Sequence, residues 1–300
     1  MNQYAPIALF TYNRLAHTRA TVQALLKNAE ARDSVLYIFS DAAATIAQQV
    51  SVEAVRNYLK TVAGFREVHI RARITNYGLG KNIIEGVTEI INKHGKIIVL
   101  EDDLITAPNF LKFMNDGLHT YENNPKVASI HGYVYPVKQQ LPETFFVRGA
   151  DCLGWATWER AWDQFEEDGE ELLKQLRQSQ QINSFDFDNA YPYTKMLEAQ
   201  VQGTVSSWAV RWYASAFLKN LFTLYPSQSL VFHAGGDGSG TNTGYDQQLD
   251  VTLRMTPVNV IEQDVQQDLV AYAAFRQALQ RLGKPSLIAR IRRKLKSIIK

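Results

Sequence analysis

Three acids in a row, Glu101-Asp102-Asp103, follow the apolar run Ile97-Ile98-Val99-Leu100. Adjacent carboxylates at the end of a buried segment repel one another and resist losing water, so they call for positive charge nearby. Mg2+ or Mn2+ bridging a diphosphate would supply it, because such hard ions take carboxylate oxygens and complete their shell with substrate phosphate. A capping turn ahead of Pro108 is the other reading of the same triplet. In Asn76-Tyr77-Gly78-Leu79-Gly80-Lys81 the glycines permit close backbone approach and Lys81 can neutralise phosphate. The stretch is not a P-loop, and a plain turn before a helix also accounts for it. Downstream, Gly154-Trp155, Trp158 and Trp162 offer aromatic planes of the kind that cover the C–H faces of saccharides. Trp158 and Trp162 are four apart, which on a helix puts both on one face and suits a core. Trp155 beside Gly154 is the better candidate for a saccharide contact, and Trp208 is a second.

The elements that must position these residues alternate. Ile7-Ala8-Leu9-Phe10 reads as a strand ending in the polar cluster Thr11-Tyr12-Asn13-Arg14, and His17 to Lys27 has helical spacing. Val35 to Phe39 is a second strand, ending at Ser40-Asp41. Helices over Val52 to Val62 and Asn82 to Asn92 bracket a strand at Val68-His69-Ile70, and Lys96 to Leu100 closes the series. Near-continuous apolar strands separated by helices predict an α/β fold with a mostly parallel sheet covered on both faces. Ligands of such sheets bind at the carboxyl ends of the strands, where Thr11–Arg14, Ser40-Asp41 and Glu101–Asp103 would converge. The second half predicts helices over Phe110 to Tyr121 and Trp208 to Lys219, with strands at Val127 to Tyr133, Phe145 to Val147 and Leu221 to Tyr225. The acidic stretch Glu166 to Glu171 reads as a solvated helix start, and Ser239 to Asn242 as a glycine-rich loop.

Composition narrows the class. At 300 residues, 46% hydrophobic and 21% charged, the chain can bury a substantial core and is not disordered. Six Lys or Arg and no acid fall in residues 285–300; removing them from the overall +2 leaves −4 for residues 1–284. Basic character is thus confined to the tail and no recognition motif accompanies it, which argues against nucleic acid as a partner. A lone cysteine, Cys152, rules out an internal disulfide and fits a reducing compartment. No stretch reaches the roughly 18 to 20 apolar residues that span a bilayer, and no basic-then-apolar leader opens the chain, so a cytoplasmic protein is expected.

Seven motifs together resemble the family-two-type glycosyltransferases of bacterial surface-polysaccharide clusters and, more distantly, the N-acetylglucosaminyltransferase I family. They are Pro6 to Arg14, Ser40-Asp41, Asn76 to Lys81, Glu101 to Leu104 with Pro108-Asn109-Phe110, Gly154 to Trp158, Ser207 to Trp212, and Gly236 to Gly240, in that order over about residues 5–245. The resemblance implies a GT-A, Rossmann-like domain over 1–262, with a nucleotide-sugar half at 1–105 and an acceptor half at 106–262, followed by C-terminal helices over 263–300. It implies transfer of a sugar from a nucleotide diphosphate, a UDP-sugar above all, to a saccharide or lipid-linked acceptor in surface polysaccharide synthesis, with inversion and with Mn2+ or Mg2+. By the same resemblance Thr11, Asn13, Arg14 and Asp41 contact the nucleotide, and Asn76, Gly78, Gly80 and Lys81 belong to the donor site. Arg14 offers a planar fork for diphosphate, and Asp41 an acceptor for a base imide N–H. Asp103 would ligate the metal, Asp102 contact ribose, and Glu101 contact the donor sugar.

One expected residue is missing. An inverting transfer needs a carboxylate to take the acceptor proton, and the family places it just before Ser-Trp, where this chain has Ser206. Asp151 and Asp237 are the remaining candidates for the base. A relocated base, a retaining mechanism and a catalytically silent binding subunit all stay open. A nucleotidyltransferase also pairs an α/β sheet with acidic ligands, but it needs a glycine-rich loop where this chain has Thr11–Arg14. In the tail, Leu287, Ile288, Ile291, Leu295, Ile298 and Ile299 recur at helical spacing against six basic residues. That predicts a basic amphipathic helix on the inner face of the membrane, suited to a lipid-linked acceptor; a helix docked on the body is the alternative.

Overall fold

The computed structural model describes residues 4–238 and 248–282. Strand β1 (Ile7–Thr11) leads through helix α1 (Leu15–Leu25) to β2 (Val35–Ser40), and α2 (Gln49–Leu59) leads to β3 (Glu67–Ala72). Helix α3 (Leu79–His94) then returns the chain to β4 (Lys96–Glu101). These four strands lie parallel in the order β3-β2-β1-β4. Parallel neighbours cannot be joined by tight turns, and the crossover helices that join them also cover the sheet faces. That is why β1 and β2 are buried at every residue and carry unbroken apolar runs. From β1 the chain steps to β2 and β3 on one side, whereas β4 joins on the other. The strand order therefore reverses between β1 and β4, the place where open α/β sheets leave a crevice for ligand.

The second half adds β5 (Leu104–Thr106), α4 (Phe110–Thr120), β6 (Val127–His131), β7 (Thr144–Arg148) and β8 (Trp155–Trp158). Helices α5 (Glu159–Trp162), α6 (Gly169–Gln178), α7 (Ile182–Phe185), α8 (Tyr193–Val201) and α9 (Trp208–Leu218) follow, then β9 (Phe222–Pro226), β10 (Val231–His233) and α10 (Leu269–Leu282). The sheet continues past β4 as β8-β6-β9-β7 to make eight strands, with β8 antiparallel to both its neighbours and β7 antiparallel to β9. It is thus parallel throughout its first half and mixed in its second. β10 and β5 form a separate antiparallel ribbon, which carries His233 to Leu104, beside the acidic turn.

Two apolar clusters flank the sheet. The larger includes five tryptophans, with Trp155 against Trp208 at 5.6 Å between ring centroids. Trp158 and Trp162 share the core, as their spacing suggested, but not a helix: Trp158 ends β8 and caps α5, so the switch from strand to helix falls between them. The smaller cluster is aromatic, with Phe145, Phe185, Tyr213, Tyr225 and Phe275 from β7, α7, α9, β9 and α10. Helix α10 buries Ala271, Ala274, Phe275, Ala278 and Leu279 here, so this part of the expected tail is docked on the body. The acidic stretch opens α6, where Asp168 accepts from the backbone N–H groups of Glu170 and Glu171. The basic segment after 282 and the loop Ser239–Asn242 lie outside the described residues.

Candidate functional site

β4 ends at Glu101, and the next two acids turn beneath the end of β1. The turn is clamped from both sides: Thr21 Oγ1 on α1 donates to the Asp102 carbonyl at 2.8 Å, and Ala234 N donates to that of Asp103 at 2.8 Å. Arg14, one residue before α1, sets Nη2 at 2.5 Å from Asp102 Oδ1 and 2.8 Å from Asp103 Oδ2. His233 Nε2, at the end of β10, lies 3.5 Å from the same Asp103 oxygen.

The charges follow from this geometry. Burial would raise the Asp103 carboxyl, but the hydrogen bond from His233 and the charge of Arg14 outweigh it and hold the group at about 2. Burial and the neighbouring Asp103 and Asp102 push Glu101 up to about 8, offset only in part by Arg14. Glu101 therefore carries a proton at neutral pH and can donate a hydrogen bond. Burial opposes charge on Arg14, yet the two aspartates keep its guanidinium protonated above its usual range. The acids thus bring their own counter-ion, a residue free to exchange carboxylate for phosphate.

Asp41 is placed at this rim but used otherwise than expected. Its Oδ1 accepts from Ala42 N at 2.8 Å and Tyr77 N at 2.9 Å; its Oδ2 accepts from Gly78 N at 2.9 Å and Asn76 Nδ2 at 3.1 Å. With four donors its acceptor positions are filled, which leaves none for a base imide. Asp41 and Asn76 fasten the loop that leads into α3. Lys81 also turns away, lying over the Tyr77 ring at 4.6 Å and facing Glu85 at 3.6 Å. Gly80 has no steric need to be glycine, since a Cβ there would meet only Ser206 and Trp208 at ordinary distances.

Thr11, Asn13, Arg14, Asp41, Asn76, Gly78, Glu101, Asp102, Asp103 and His233 line one cavity of about 310 Å³ at the β1/β4 crevice. Among the described residues no three His, Cys, Asp or Glu side chains meet closely enough to hold an ion alone. Asp103 and His233 nevertheless form a two-ligand cradle kept clear by Gly235, where a Cβ would stand 2.4 Å from Asp103 Oδ2 and 2.8 Å from His233 Nε2. Two protein ligands with phosphate and water completing the shell is the usual arrangement for Mg2+-type ions, so these residues fit one. The sequence signal for His233 was a histidine just ahead of Gly235-Gly236-Asp237, and only the β10–β5 ribbon explains it.

The acceptor candidates need correction. Trp155 and Trp208 are 1% and 3% exposed, stacked inside the tryptophan cluster, so neither presents a face to a ligand. Gly154 is required for the backbone, at φ +71° and with Val231 Cγ2 at 2.8 Å from any Cβ there. Ser206 is exposed beside Gly80. Asp237 faces His17, Oδ2 to Nε2 at 3.2 Å, and is half exposed. Asp151 lines a second cavity of about 250 Å³ together with Ser207, the neighbour of Ser206. It accepts from the Tyr135 hydroxyl at 3.1 Å and from Cys152 N at 2.8 Å. His131 braces this loop without having been singled out from sequence. Its Nε2 accepts from Leu153 N, and its Nδ1 reaches the Tyr133 carbonyl, each at 2.9 Å.

No family model matches the chain, and no curated protein does. Among solved structures it is similar to a mannosyltransferase from Pyrobaculum calidifontis in complex with GDP-Man and Mn2+, at 12% identity and TM-score 0.34 over 58% of this chain and 47% of that one. It is similar to S. aureus TarS at 14% identity and TM-score 0.36, over 74% of this chain and 36% of TarS. A UDP-glucose pyrophosphorylase complexed with UDP-glucose shares 12% identity at TM-score 0.37, over 77% of this chain and 94% of that one. The chain thus spans less than half the length of the first two.

Proposed function

We propose that this chain is a metal-dependent glycosyltransferase that moves a sugar from a UDP-sugar to a hydroxyl of a saccharide or lipid-linked saccharide, with inversion. One observation carries the reading. The β1/β4 crevice gathers the acidic turn, Arg14 and His233 around one cavity, so cationic and metal-binding groups stand together where a nucleoside diphosphate would lie. The motif resemblance supports the choice of a sugar donor.

In this reading Asp103 and His233 would hold Mn2+ or Mg2+, which when bound offsets the charge of the departing diphosphate. Arg14 leaves the carboxylates for the phosphates, and Glu101 contacts a donor-sugar hydroxyl. Asp151, oriented by Tyr135 and Cys152 N, takes the acceptor proton. The acceptor oxygen bonds to the anomeric carbon as the bond to diphosphate breaks, its electron pair leaving with the diphosphate. Asp151 is preferred to Asp237 because it lines one cavity with Ser207, the neighbour of the position where the family keeps its base.

A panel of nucleotide sugars incubated with and without Mn2+, with release of nucleoside diphosphate as readout, tests this. Metal-dependent release from a UDP-sugar is the expected result, and no release from any donor would overturn the transfer reading. Donor binding without release would favour the silent subunit that Ser206 suggests. The placement of the basic segment 285–300 on an anionic membrane is proposed from sequence alone. Loss of vesicle flotation on its deletion is the corresponding test.

A further inference from the structure

The cavity around Asp151 is walled by aromatic rings and phenols, with Phe187, Tyr193 and Met196 facing it beside Tyr135. Burial keeps the Tyr135 and Tyr193 hydroxyls well above their ordinary range, so both remain protonated hydrogen-bonding groups. Cys152 lines the same cavity, and burial, with the nearby Asp151 charge, raises its thiol well above the ordinary range. Apolar walls with a few convergent polar groups suit a pyranose, whose C–H faces meet rings while its hydroxyls meet carboxylate and phenol.

Arg148 adds a cation to this lining. Its Nε and Nη2 donate to the Phe217 carbonyl at 3.0 and 2.7 Å, and Nη2 also to Gln181 Oε1 at 2.7 Å. The guanidinium stacks on the Phe217 ring at 3.9 Å. The group is therefore held in place at the cavity wall, yet no carboxylate pairs with it among the described residues. A half-buried cation without an anion is costly, and a ligand that brings the anion recovers that cost.

We infer that this second cavity binds an acidic saccharide, its ring against the aromatic wall and its carboxylate or phosphate against Arg148. That this saccharide is the acceptor rests on the transferase reading above; that the cavity prefers an anionic sugar does not. The test uses the full chain with three probes, methyl β-glucuronide, glucose 6-phosphate and methyl β-glucoside, followed by saturation-transfer NMR and calorimetry. At least one anionic probe should bind about tenfold more tightly than the glucoside, the worth of one charge-assisted contact. The better of the two anionic probes separates uronate from phosphate. Arg148→Gln should bring all three probes to similar affinity, and Met196→Trp, which fills the cavity, should abolish binding of each. Equal binding of all three probes to the unaltered chain overturns the inference, as does a preference that survives in folded Arg148→Gln. Titration with UDP and Mn2+ is run in parallel. UDP binding without anion preference sinks this inference alone, whereas anion preference without UDP binding supports the cavity and removes the transferase reading.

Discussion

Asp103 Oδ2 and His233 Nε2 stand 3.5 Å apart although they are remote in the chain, joined by the antiparallel pairing of His233 with Leu104. On the metal role proposed for this pair, removing either side chain should remove the metal's contribution. Asp103→Asn and His233→Ala should each lower Mn2+-dependent UDP affinity by at least about tenfold, leaving metal-free affinity nearly unchanged. Calorimetry with and without Mn2+ decides it, and a His233→Ala variant with undiminished metal dependence would reject the pair.

Arg14 neutralises two buried carboxylates, so its loss should leave Asp102 and Asp103 repelling one another. Arg14→Ala should cost about 3 kcal/mol, the low end for a broken buried pair because its side chain keeps 18% exposure. Asp102→Asn in that background should restore part of the loss. Urea unfolding of the four proteins measures the coupling; additive effects would mean that the contact carries little energy.

Asp151→Asn should lower turnover by a factor on the order of 10² or more with UDP affinity retained, since the amide keeps the shape and loses the basicity. Asp237→Asn should have little effect. The reverse pattern in steady-state rates would move the base to the His17 side of the crevice.

His131 is fully buried, with Nδ1 donating to a carbonyl and Nε2 accepting from an N–H, so the fold specifies the neutral ring. Burial lowers its pKa, against partial opposition from Asp151 and the Tyr133 carbonyl. Below about pH 6.5 the unfolded chain takes up a proton that the folded one refuses, so stability falls with pH from there down through the folded pKa. Above that window its contribution is complete. Glu101, raised to about 8, acts with the opposite sign between pH 5 and 8, so the readout is a difference: the melting temperature of the unaltered chain should fall relative to that of His131→Gln as pH drops below about 6.5. His94, shifted the same way by burial, accounts for a residual slope.

Trp155 packs against Trp208, Trp162 and Trp212 with 1% exposure. Trp155→Ala should cost about 3–5 kcal/mol in unfolding free energy, as core truncations of this size do. A stable variant that has lost only affinity for a saccharide would restore the contact reading first drawn from Gly154-Trp155.

The sequence by itself determined the alternation of strands and helices and hence the rim of the parallel half. Apolar runs such as Val35 to Phe39 must be buried on both faces, and polar clusters must then fall at their carboxyl ends. Thr11–Arg14, Asp41 and Glu101–Asp103 were legible for that reason, and Asn76 and Gly78 through the motif resemblance. What each side chain does was decided only by tertiary contacts. Asp41 spends its oxygens on a neighbouring loop, the tryptophans face one another instead of a ligand, and His233 arrives through a ribbon between distant segments. Periodicity reports which face of an element is buried. It carries no information on what packs against that face, so the facing of Trp155, the partnering of Arg14 and the pairing of Asp103 with His233 needed the folded chain.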